Sequence, residues 1–376
     1  MFGQAAHASN AYRRLAEVQG APGAPNLGQT PAWKCLVAQD AVEEEIYKVV
    51  EHSNLVQVRF STEFVGFEET EDGIVAEIRS VESGQTERWH AKYLLACDGA
   101  GSQTRRAAGI DMVGPATLAV LLNEYWRADL SRFPLAREAA GYQVYSKTPG
   151  VPRAGILNTN GRDRWLSIIQ IGTEKDERAR PWTDAEMIEI IRAHVGVPDL
   201  DVTLLNRSVW RMSKQVAASF RSRRVFLVGD AAHRFPPTGG FGLNSGVQDA
   251  HNLAWKLVYV LRGWASDKLL DSYDCERRPV AQSNADFSFG NRIRFLRMDQ
   301  AIRSGNDDHI RFWINDLDNH LHSIGQALGF TYEEGAVIPD GTPRGGHLTR
   351  VYTPNDRPGG RFPHLWLDPA RKQSTL

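Results

Sequence analysis

The strongest constraint on this chain is a glycine- and proline-rich run at residues 229–244, called here the glycine-rich segment. It follows a short apolar stretch at 225–228, and a helix is predicted to continue from it to about Leu261. Asp230 ends the predicted strand and can offer a carboxylate to a sugar-like hydroxyl. Glycines let backbone N–H groups approach a flat ligand, prolines stiffen the loop, and a helix start adds a positive dipole end. These parts predict a flavin site, with the ribitol on Asp230 and the ring along the segment.

Part of the glycine-rich segment comes close to a dinucleotide-binding fingerprint. Gly240 and Gly242 occupy the first two glycine positions of G-x-G-x-x-G, but Ser245 stands at the third. That fingerprint needs its first glycine directly after a strand within a βαβ unit, whereas residues 230–239 intervene here. We therefore reject it. An ordinary glycine-rich strand-to-helix loop is the alternative interpretation, and it accounts for any few of these residues better than for the whole run.

Composition and charge exclude several classes of protein. The chain has 376 residues, enough for two or three domains, and its 42% hydrophobic and 24% charged residues are typical of globular proteins. A net charge of −1 argues against nucleic acid and against membrane-surface partners. No apolar run approaches the ~18 residues of a membrane span, and the first residues lack a secretory pattern.

The cysteines give no sign of a disulfide framework or a metal site. Cys35, Cys97 and Cys275 are far apart and odd in number, and they form no C-x-x-C pair. His320 with His322 is the nearest approach to a ligand pair. Reduced thiols are therefore the expected state, and the sequence predicts a cytoplasmic protein without a metal.

The order of predicted elements indicates a mixed α/β protein. A helix is predicted at 39–50, because its apolar residues recur at helical spacing. Strands follow at about 55–60, 63–69, 73–81 and 86–90, with Asp-Gly and Ser-Gly turns between them. The continuous apolar run at 93–97 is typical of a strand buried on both faces.

The pattern changes between about 110 and 210. Strands around 118–128, 141–147 and 165–171 predict an antiparallel sheet. Thr183 and Glu186 form a capping box that begins a helix, and Gly196 ends it. The strand and long helix return at 224–261, and further helices are predicted at 269–278 and 281–296. One domain is therefore interrupted by a second, sheet-based one.

A second motif directly follows the buried strand at 93–97. It consists of Asp98, Gly99, Ser102 and Arg105 in the spacing D-G-x-x-S-x-x-R. Alone, Asp-Gly at a strand end is a turn. An acidic residue, a glycine turn, a small hydroxyl and an arginine on a helix start can also hold pyrophosphate and hydroxyl groups. The presence of both motifs in this order makes the functional interpretation specific.

With both motifs the chain resembles the flavin-dependent aromatic hydroxylases of the para-hydroxybenzoate hydroxylase fold, particularly their phenol and chlorophenol monooxygenase branch. The resemblance rests on residues 98–105, on 229–257 and on 270–279, with a weaker match at 39–46. It covers most of residues 35–365. It implies an FAD-binding Rossmann-like domain formed by 1–109 and 211–335, an antiparallel-sheet substrate domain at 110–210, and the start of a truncated C-terminal domain at 336–376.

The resemblance also implies roles for individual residues. Asp230 would bind the ribitol, and Gln39 would contact the phosphate or ribitol region. Gly229 would also bind the cofactor. The flavin ring would be lined by Pro237 and by the backbone from Gly239 to Asn244, including Gly240 and Gly242, with Leu243 and Asn244 at its pyrimidine edge. Asp98, Ser102 and Arg105 would serve both FAD and NADPH. The candidate substrate-pocket residues are Trp165, Ile168 and Trp210, although packing of the sheet core explains these three equally well.

The implied reaction is hydroxylation of a phenolic or polyketide-like aromatic with FAD, NAD(P)H and O₂. The protein would contribute orientation, exclusion of water and stabilisation of charge, and the sequence assigns no catalytic residue. The helix after the glycine-rich segment would hold its dipole behind the flavin. Its predicted interior face comprises Val247, Ala250, Ala254, Leu257, Val258 and Leu261.

The chain departs from the family pattern at both ends. Residues 1–38 contain no G-x-G-x-x-G unit, and the last residues stop where a thioredoxin-like domain would begin. We therefore expect weaker FAD affinity than in a complete member, and a tendency to form a homodimer through an exposed sheet edge. Two alternatives stay open: a non-hydroxylating flavin oxidoreductase of the same fold, and an inactive fragment that binds only a ligand or a partner.

Overall fold

The structure is a computed structural model. It describes residues 29–30, 37–145, 150–173, 182–317, 322–343, 345–346, 348–370 and 373–375. The sequence also predicts a short helix around 11–18, which lies outside these residues, as do Cys35, His320 and the glycines that precede residue 29.

The described residues include helices and strands from Gln39 to Leu328. The helices are α1 (Gln39–Glu51), α2 (Gln103–Ala107), α3 (Leu135–Glu138), α4 (Asp184–Val195), α5 (Phe241–Leu261), α6 (Ser272–Ser304), α7 (Asp307–Asp316) and α8 (Ile324–Leu328), with 3₁₀ turns at Gly229–Ala231 and Asp267–Asp271. The strands are β1 (Thr62–Glu69), β2 (Ile74–Ser80), β3 (Thr86–Ala91), β4 (Leu94–Ala96), β5 (Met112–Val113), β6 (Ala119–Arg127), β7 (Gly141–Val144), β8 (Ala154–Asn158), β9 (Arg164–Thr173), β10 (Thr203–Met212), β11 (Gln215–Ala217), β12 (Arg221–Ser222), β13 (Val225–Leu227) and β14 (His233–Arg234).

Contacts divide the chain into two compact units. The described residues of the first fall within 37–57 and 117–212. Its centre is an antiparallel five-stranded sheet in the order β10-β6-β9-β8-β7. Helix α4 buries Met187, Ile190 and Ile191 in the same apolar cluster as one face of this sheet. The predicted capping box of α4 is present, and Gly196 ends the helix with a positive φ of 78°.

The second unit contains the remaining described residues, from 29–30, 58–116 and 213–375. Strands β1, β2 and β3 form an antiparallel sheet joined by the two predicted turns. Strand β13 pairs in parallel with β4, with Val225 opposite Leu94, and β12 lies on its other side. Helices α5 and α6 belong to this unit. The mixed α/β class predicted from the sequence is confirmed.

Several predicted elements differ in the structure. Residues 55–60 form no strand, and β4 is not buried on both faces, because Leu95 is 43% exposed. Helix α1 is present, but none of its residues is buried. The two helices predicted at 269–278 and 281–296 form one helix, α6, which contains Pro279. An interior proline removes a backbone hydrogen bond and crowds the preceding turn, but α6 continues through Pro279 and has buried residues on both sides of it.

Helix α5 buries a different face from the predicted one. Of the six residues predicted to be interior, only Leu257 is buried, whereas Val247 is 58% and Leu261 49% exposed. Four of the seven buried residues of α5 are polar or charged: Ser245, Asp249, Asn252 and Lys256. The prediction assumed that the apolar side of α5 packs inside. It was wrong because the polar and charged residues of α5 can be buried when they bind partners in the interior. No helix in the described ranges has the length and apolar character needed to cross a membrane.

Candidate cofactor site

The glycine-rich segment begins in a tight turn at the end of β13. Gly229 has a φ of 61°, which glycine adopts without the steric cost of a side chain. A Cβ built on Gly246 of α5 would lie 3.3 Å from the Gly229 Cα atom, so this helix passes very close to the turn. The next residue, Asp230, is exposed. The turn therefore presents the Asp230 carboxylate at the surface of the second unit, at the end of a fully buried strand.

The second half of the glycine-rich segment leads into α5. The N–H groups of Gly239 and Gly240 both donate to the Pro237 carbonyl, at 2.8 and 3.2 Å. Gly240 has a φ of 70° and caps α5 without a side-chain hydrogen bond. The first N–H groups of a helix lack intrahelical partners. Leu243 and Asn244 in this first turn are exposed, so a ligand can reach this end of the helix.

Contacts with α6 hold this half of the segment in place. The Thr238 hydroxyl donates to the Ser288 carbonyl at 2.7 Å, and the Asn291 amide donates to the Thr238 carbonyl at 2.8 Å. A Cβ on Gly239 would lie 2.6 Å from the Phe241 ring, whereas a Cβ on Gly240 would meet no atom within 4 Å. Gly239 is therefore needed for internal packing, and Gly240 faces open space.

A buried ionic network lies beneath the turn. One oxygen of Asp249 accepts the Gly229 N–H at 3.2 Å and lies 2.6 Å from His233 Nε2. Its other oxygen accepts Arg277 Nε at 2.8 Å. The side chains of His233, Asp249 and Arg277 are each 0% exposed. Asp249 was not among the residues predicted from the sequence. It lies on the face of α5 that was predicted to be polar and exposed.

A second buried ion pair joins α5 to α6. Lys256 Nζ lies 2.6 Å from Glu276 Oε2 and 2.9 Å from the Asn252 amide oxygen. Asn252 and the Ala336 N–H also donate to the Glu276 carboxylate, at 2.6 and 2.8 Å. Burial lowers the pKa of Lys256, and the Glu276 carboxylate opposes this shift. The two family motifs at 252–257 and 276–279 thus meet in one polar interface.

The motif at 98–105 forms a turn whose bonds are largely internal. Ser102 accepts the Arg105 N–H at 2.9 Å, and Asp98 accepts the Thr104 N–H at 3.0 Å. Burial alone raises the pKa of Asp98, but hydrogen bonds from Ser102 and Thr104 outweigh it and lower that pKa. The Arg105 guanidinium donates to the Ile110 carbonyl at 2.6 Å. Ser102 and Arg105 are buried, so Asp98 is the more accessible member of the three.

Arg234 connects the two motifs. Its guanidinium donates to the carbonyl of Ala100 in the first motif and to the Gln215 side chain at 3.2 Å. Burial and the nearby Arg105 lower the pKa of Arg234, and Asp230 opposes this shift. The structure therefore brings the turn at 98–105 and the turn at Asp230 together in the second unit. Sequence analysis did not single out Arg234, because its partner lies far away along the chain.

Gln39 belongs to the first unit. It begins α1, is exposed, and donates to Glu43 at 2.6 Å within that helix. Its role toward a cofactor remains a prediction.

The three candidate substrate residues do not share a face of the sheet. Trp165 is 0% exposed, stacks on Trp126 with ring centroids 5.9 Å apart, and donates to the Ala128 carbonyl. It is a core residue, which is one of the two interpretations that the sequence left open. Ile168 and Trp210 pack against a separate, smaller cluster and are only partly buried. Because strand residues alternate between faces, positions 165 and 168 point to opposite sides.

On the face of Ile168, Trp210 donates from its indole to the Asn123 side chain at 3.0 Å. Asn123 lies directly opposite Ile168 in the pairing of β6 with β9. Asn123 was not predicted from the sequence, because its position opposite Ile168 depends on the register of two strands. Among the described residues, no group of three metal-ligating side chains comes together.

The residues present fit the ribitol and ring half of a flavin. The exposed Asp230 carboxylate can accept a hydrogen bond from a hydroxyl group. The N–H groups at the uncapped start of α5 can donate hydrogen bonds to a carbonyl oxygen or to a negatively charged group. A Cβ added at Gly240 or at Gly242 would meet no atom within 4 Å, so a flat ring can approach this backbone. The chemistry of this donor set matches that of the cofactor predicted from the sequence.

Comparison with known proteins agrees with this geometry. The family described as FAD binding domain matches residues 3–288, and the chain belongs to this family. A tetracenomycin A2 monooxygenase-dioxygenase from Streptomyces glaucescens is 34% identical over 320 residues, which cover 83% of this chain and 53% of that protein. A 4-methyl-5-nitrocatechol 5-monooxygenase from a Burkholderia species is 33% identical over 372 residues, covering 95% of this chain and 65% of that protein.

A solved structure is similar over most of the chain. The flavin-dependent monooxygenase PieE, in complex with FAD and substrate, superposes with a TM-score of 0.84 at 30% identity. The match covers 93% of this chain and 65% of that one. The resemblance predicted from the motifs is thereby confirmed at the level of family and fold. The chain spans less than two thirds of the length of these relatives.

Proposed function

We propose that this chain forms the flavin ring and ribitol site of an FAD-dependent monooxygenase that hydroxylates a phenolic or polyketide-like aromatic. The observation that carries the proposal is the exposed Asp230 carboxylate beside the uncapped, glycine-lined start of α5. Family membership and the names of the relatives support it: they include a 4-methyl-5-nitrocatechol 5-monooxygenase and a tetracenomycin A2 monooxygenase-dioxygenase.

Within this proposal, the chain's own residues bind and orient the cofactor. Asp230 accepts hydrogen bonds from ribitol hydroxyls. The first N–H groups of α5 would donate to the flavin ring, and the helix dipole would stabilise negative charge on it. When bound, FAD supplies the redox chemistry that links NAD(P)H oxidation to O₂ activation.

Other residues take supporting roles in the proposal. Asp98 is the accessible carboxylate of the turn at 98–105 and contributes to nucleotide binding, whereas Ser102 and Arg105 shape that turn from inside. Ile168 and Trp210 contribute to aromatic recognition, with Asn123 fixing the Trp210 indole. Trp165 serves the core of the sheet instead.

Titration of the purified chain with FAD tests the proposal. The wild-type chain should quench flavin fluorescence, and the quenching should saturate at a fixed ratio of FAD to chain. Asp230→Asn should raise the Kd about 10- to 100-fold, because a hydrogen bond to a charged group contributes roughly 1.5–3 kcal/mol. The matched control is Asp72→Asn, which changes an exposed carboxylate in the β1–β2 turn and should leave the Kd unchanged.

The outcomes separate the candidate functions. Absence of flavin binding by the wild-type chain contradicts the proposal. An unchanged Kd in Asp230→Asn shows that this carboxylate is not a ligand. With FAD bound, NAD(P)H consumption that yields an oxygenated phenol supports the monooxygenase. Consumption without such a product indicates a flavin oxidoreductase of the same fold.

A further inference from the structure

The buried network of His233, Asp249 and Arg277 carries a large desolvation free energy. Moving a carboxylate and a guanidinium out of water is expensive, and apolar residues of similar volume are often as stabilising. Here the side chains of Asp249 and Arg277 are both 0% exposed. A network kept at such a cost calls for a role in addition to stability.

The position of Asp249 indicates that role. One of its oxygens accepts two hydrogen bonds, from the Gly229 N–H and from His233 Nε2. These two donors lie at opposite ends of the turn that carries Asp230. The carboxylate therefore spans the turn from below. Arg277 on α6 fixes the other oxygen at 2.8 Å, and also donates to Gln248 at 3.1 Å.

The His233 ring is in turn held by its neighbours. It stacks on Phe235 with ring centroids 4.7 Å apart and an interplanar angle of 5°. Phe220 lies on it with centroids 5.9 Å apart. The imidazole thus has little freedom to leave Asp249, so the carboxylate and the turn move together.

We propose that Asp249 is a positioning residue for the cofactor site, which holds the Gly229–Ala231 turn and thereby sets the direction of the Asp230 carboxylate. It does not touch the cofactor. Its effect passes through the Gly229 N–H and through His233. This inference rests on the proposed function, because it assigns a reason for the geometry of Asp230.

The chain contains a closely matched control. Glu276 is also a buried carboxylate between α5 and α6, and it also binds a cation, Lys256, and a backbone N–H, that of Ala336. It does not contact the glycine-rich segment. Replacing either carboxylate by its amide therefore removes one buried charge from the same interface, and only Asp249→Asn alters the turn.

The experiment measures the FAD Kd and the backbone hydrogen exchange of the cofactor-free chain. Asp249→Asn should raise the Kd about tenfold or more, and Glu276→Gln should change it less than about threefold. In the Asp230→Asn background, Asp249→Asn should add less than about threefold, because residues that act through each other are not additive. Exchange in peptides covering residues 228–235 should rise in Asp249→Asn and stay unchanged in Glu276→Gln.

Each result decides a separate question. If the wild-type chain binds no FAD, the proposed function fails, and the exchange data still test the hold of Asp249 on the turn. If the wild type binds FAD but Asp249→Asn leaves both Kd and exchange unchanged, or adds its full effect in the Asp230→Asn background, the positioning role is overturned. If Asp249→Asn does not fold, His233→Gln is used, with the same expected pattern at reduced size.

Discussion

Replacing Lys256 alone should destabilise the second unit strongly. The Lys256 and Glu276 side chains are 0% and 2% exposed, and their charged atoms lie 2.6 Å apart. In Lys256→Met, the Glu276 carboxylate would keep only the donors of Asn252 and Ala336. Removing one partner of a buried pair costs about 3–5 kcal/mol, because the remaining charge is left without compensation.

The same reasoning predicts that a second substitution restores stability. In Lys256→Met with Glu276→Gln no charge remains buried, and the glutamine carbonyl can still accept from Ala336 or Asn252. The double variant should lie within about 2 kcal/mol of the wild type. Its two substitutions would then be strongly non-additive.

Urea unfolding and thermal melts of the wild type, both single variants and the double variant measure these differences. For a unit of this size, the loss in Lys256→Met corresponds to a Tm lower by roughly 6–20 °C. The urea midpoint should fall without a change in slope. A double variant as unstable as Lys256→Met would refute the reasoning, since the cost would then come from packing rather than from the buried charge.

Two further predictions concern the first unit. His194 is buried and donates from Nε2 to the Pro152 carbonyl, and burial lowers its pKa. The unfolded chain therefore binds more protons than the folded chain at mildly acidic pH. The contribution of His194 to stability is fully present above about pH 6.5 and is lost as the pH falls toward the lower folded-state pKa. Urea midpoints compared at neutral and mildly acidic pH should show this loss, and an equal loss in His194→Gln would contradict its assignment to His194. Trp165→Ala should cost about 3–5 kcal/mol by the cavity it leaves beside Trp126, and Trp165→Phe should cost less; a Trp165→Ala variant of unchanged Tm would show that this side chain is not part of the core.

Much of the local structure could be predicted from neighbouring residues. The capping box of Thr183 and Glu186 and the stop at Gly196 are both present. The start of α5 after Gly240 and its end at Leu261 also agree with the sequence. The capping box bonds side chains to backbone within three residues, and Gly196 and Gly240 adopt the positive φ that glycine allows, so the local sequence contains the causes of these features.

The strand alternation in the sheet could also have been used more fully. Trp165 and Ile168 are three residues apart, and this spacing alone places them on opposite faces of β9. Asn123 became visible only through pairing, because its position opposite Ile168 depends on the register of two strands. Register is set by turns and burial over the whole sheet.

The sequence by itself determined the family and the glycine-rich segment, and it made Asp230 the candidate ligand of the flavin. Only the tertiary structure decided which face of α5 is buried. Its apolar stripe is exposed at Val247 and Leu261, and its buried residues include Asp249 and Lys256. Their counter-charges, Arg277 and Glu276, come from α6, 28 and 20 residues further along the chain. A buried charge is stable only beside its partner, and such a partner is found only once distant parts of the chain have come together.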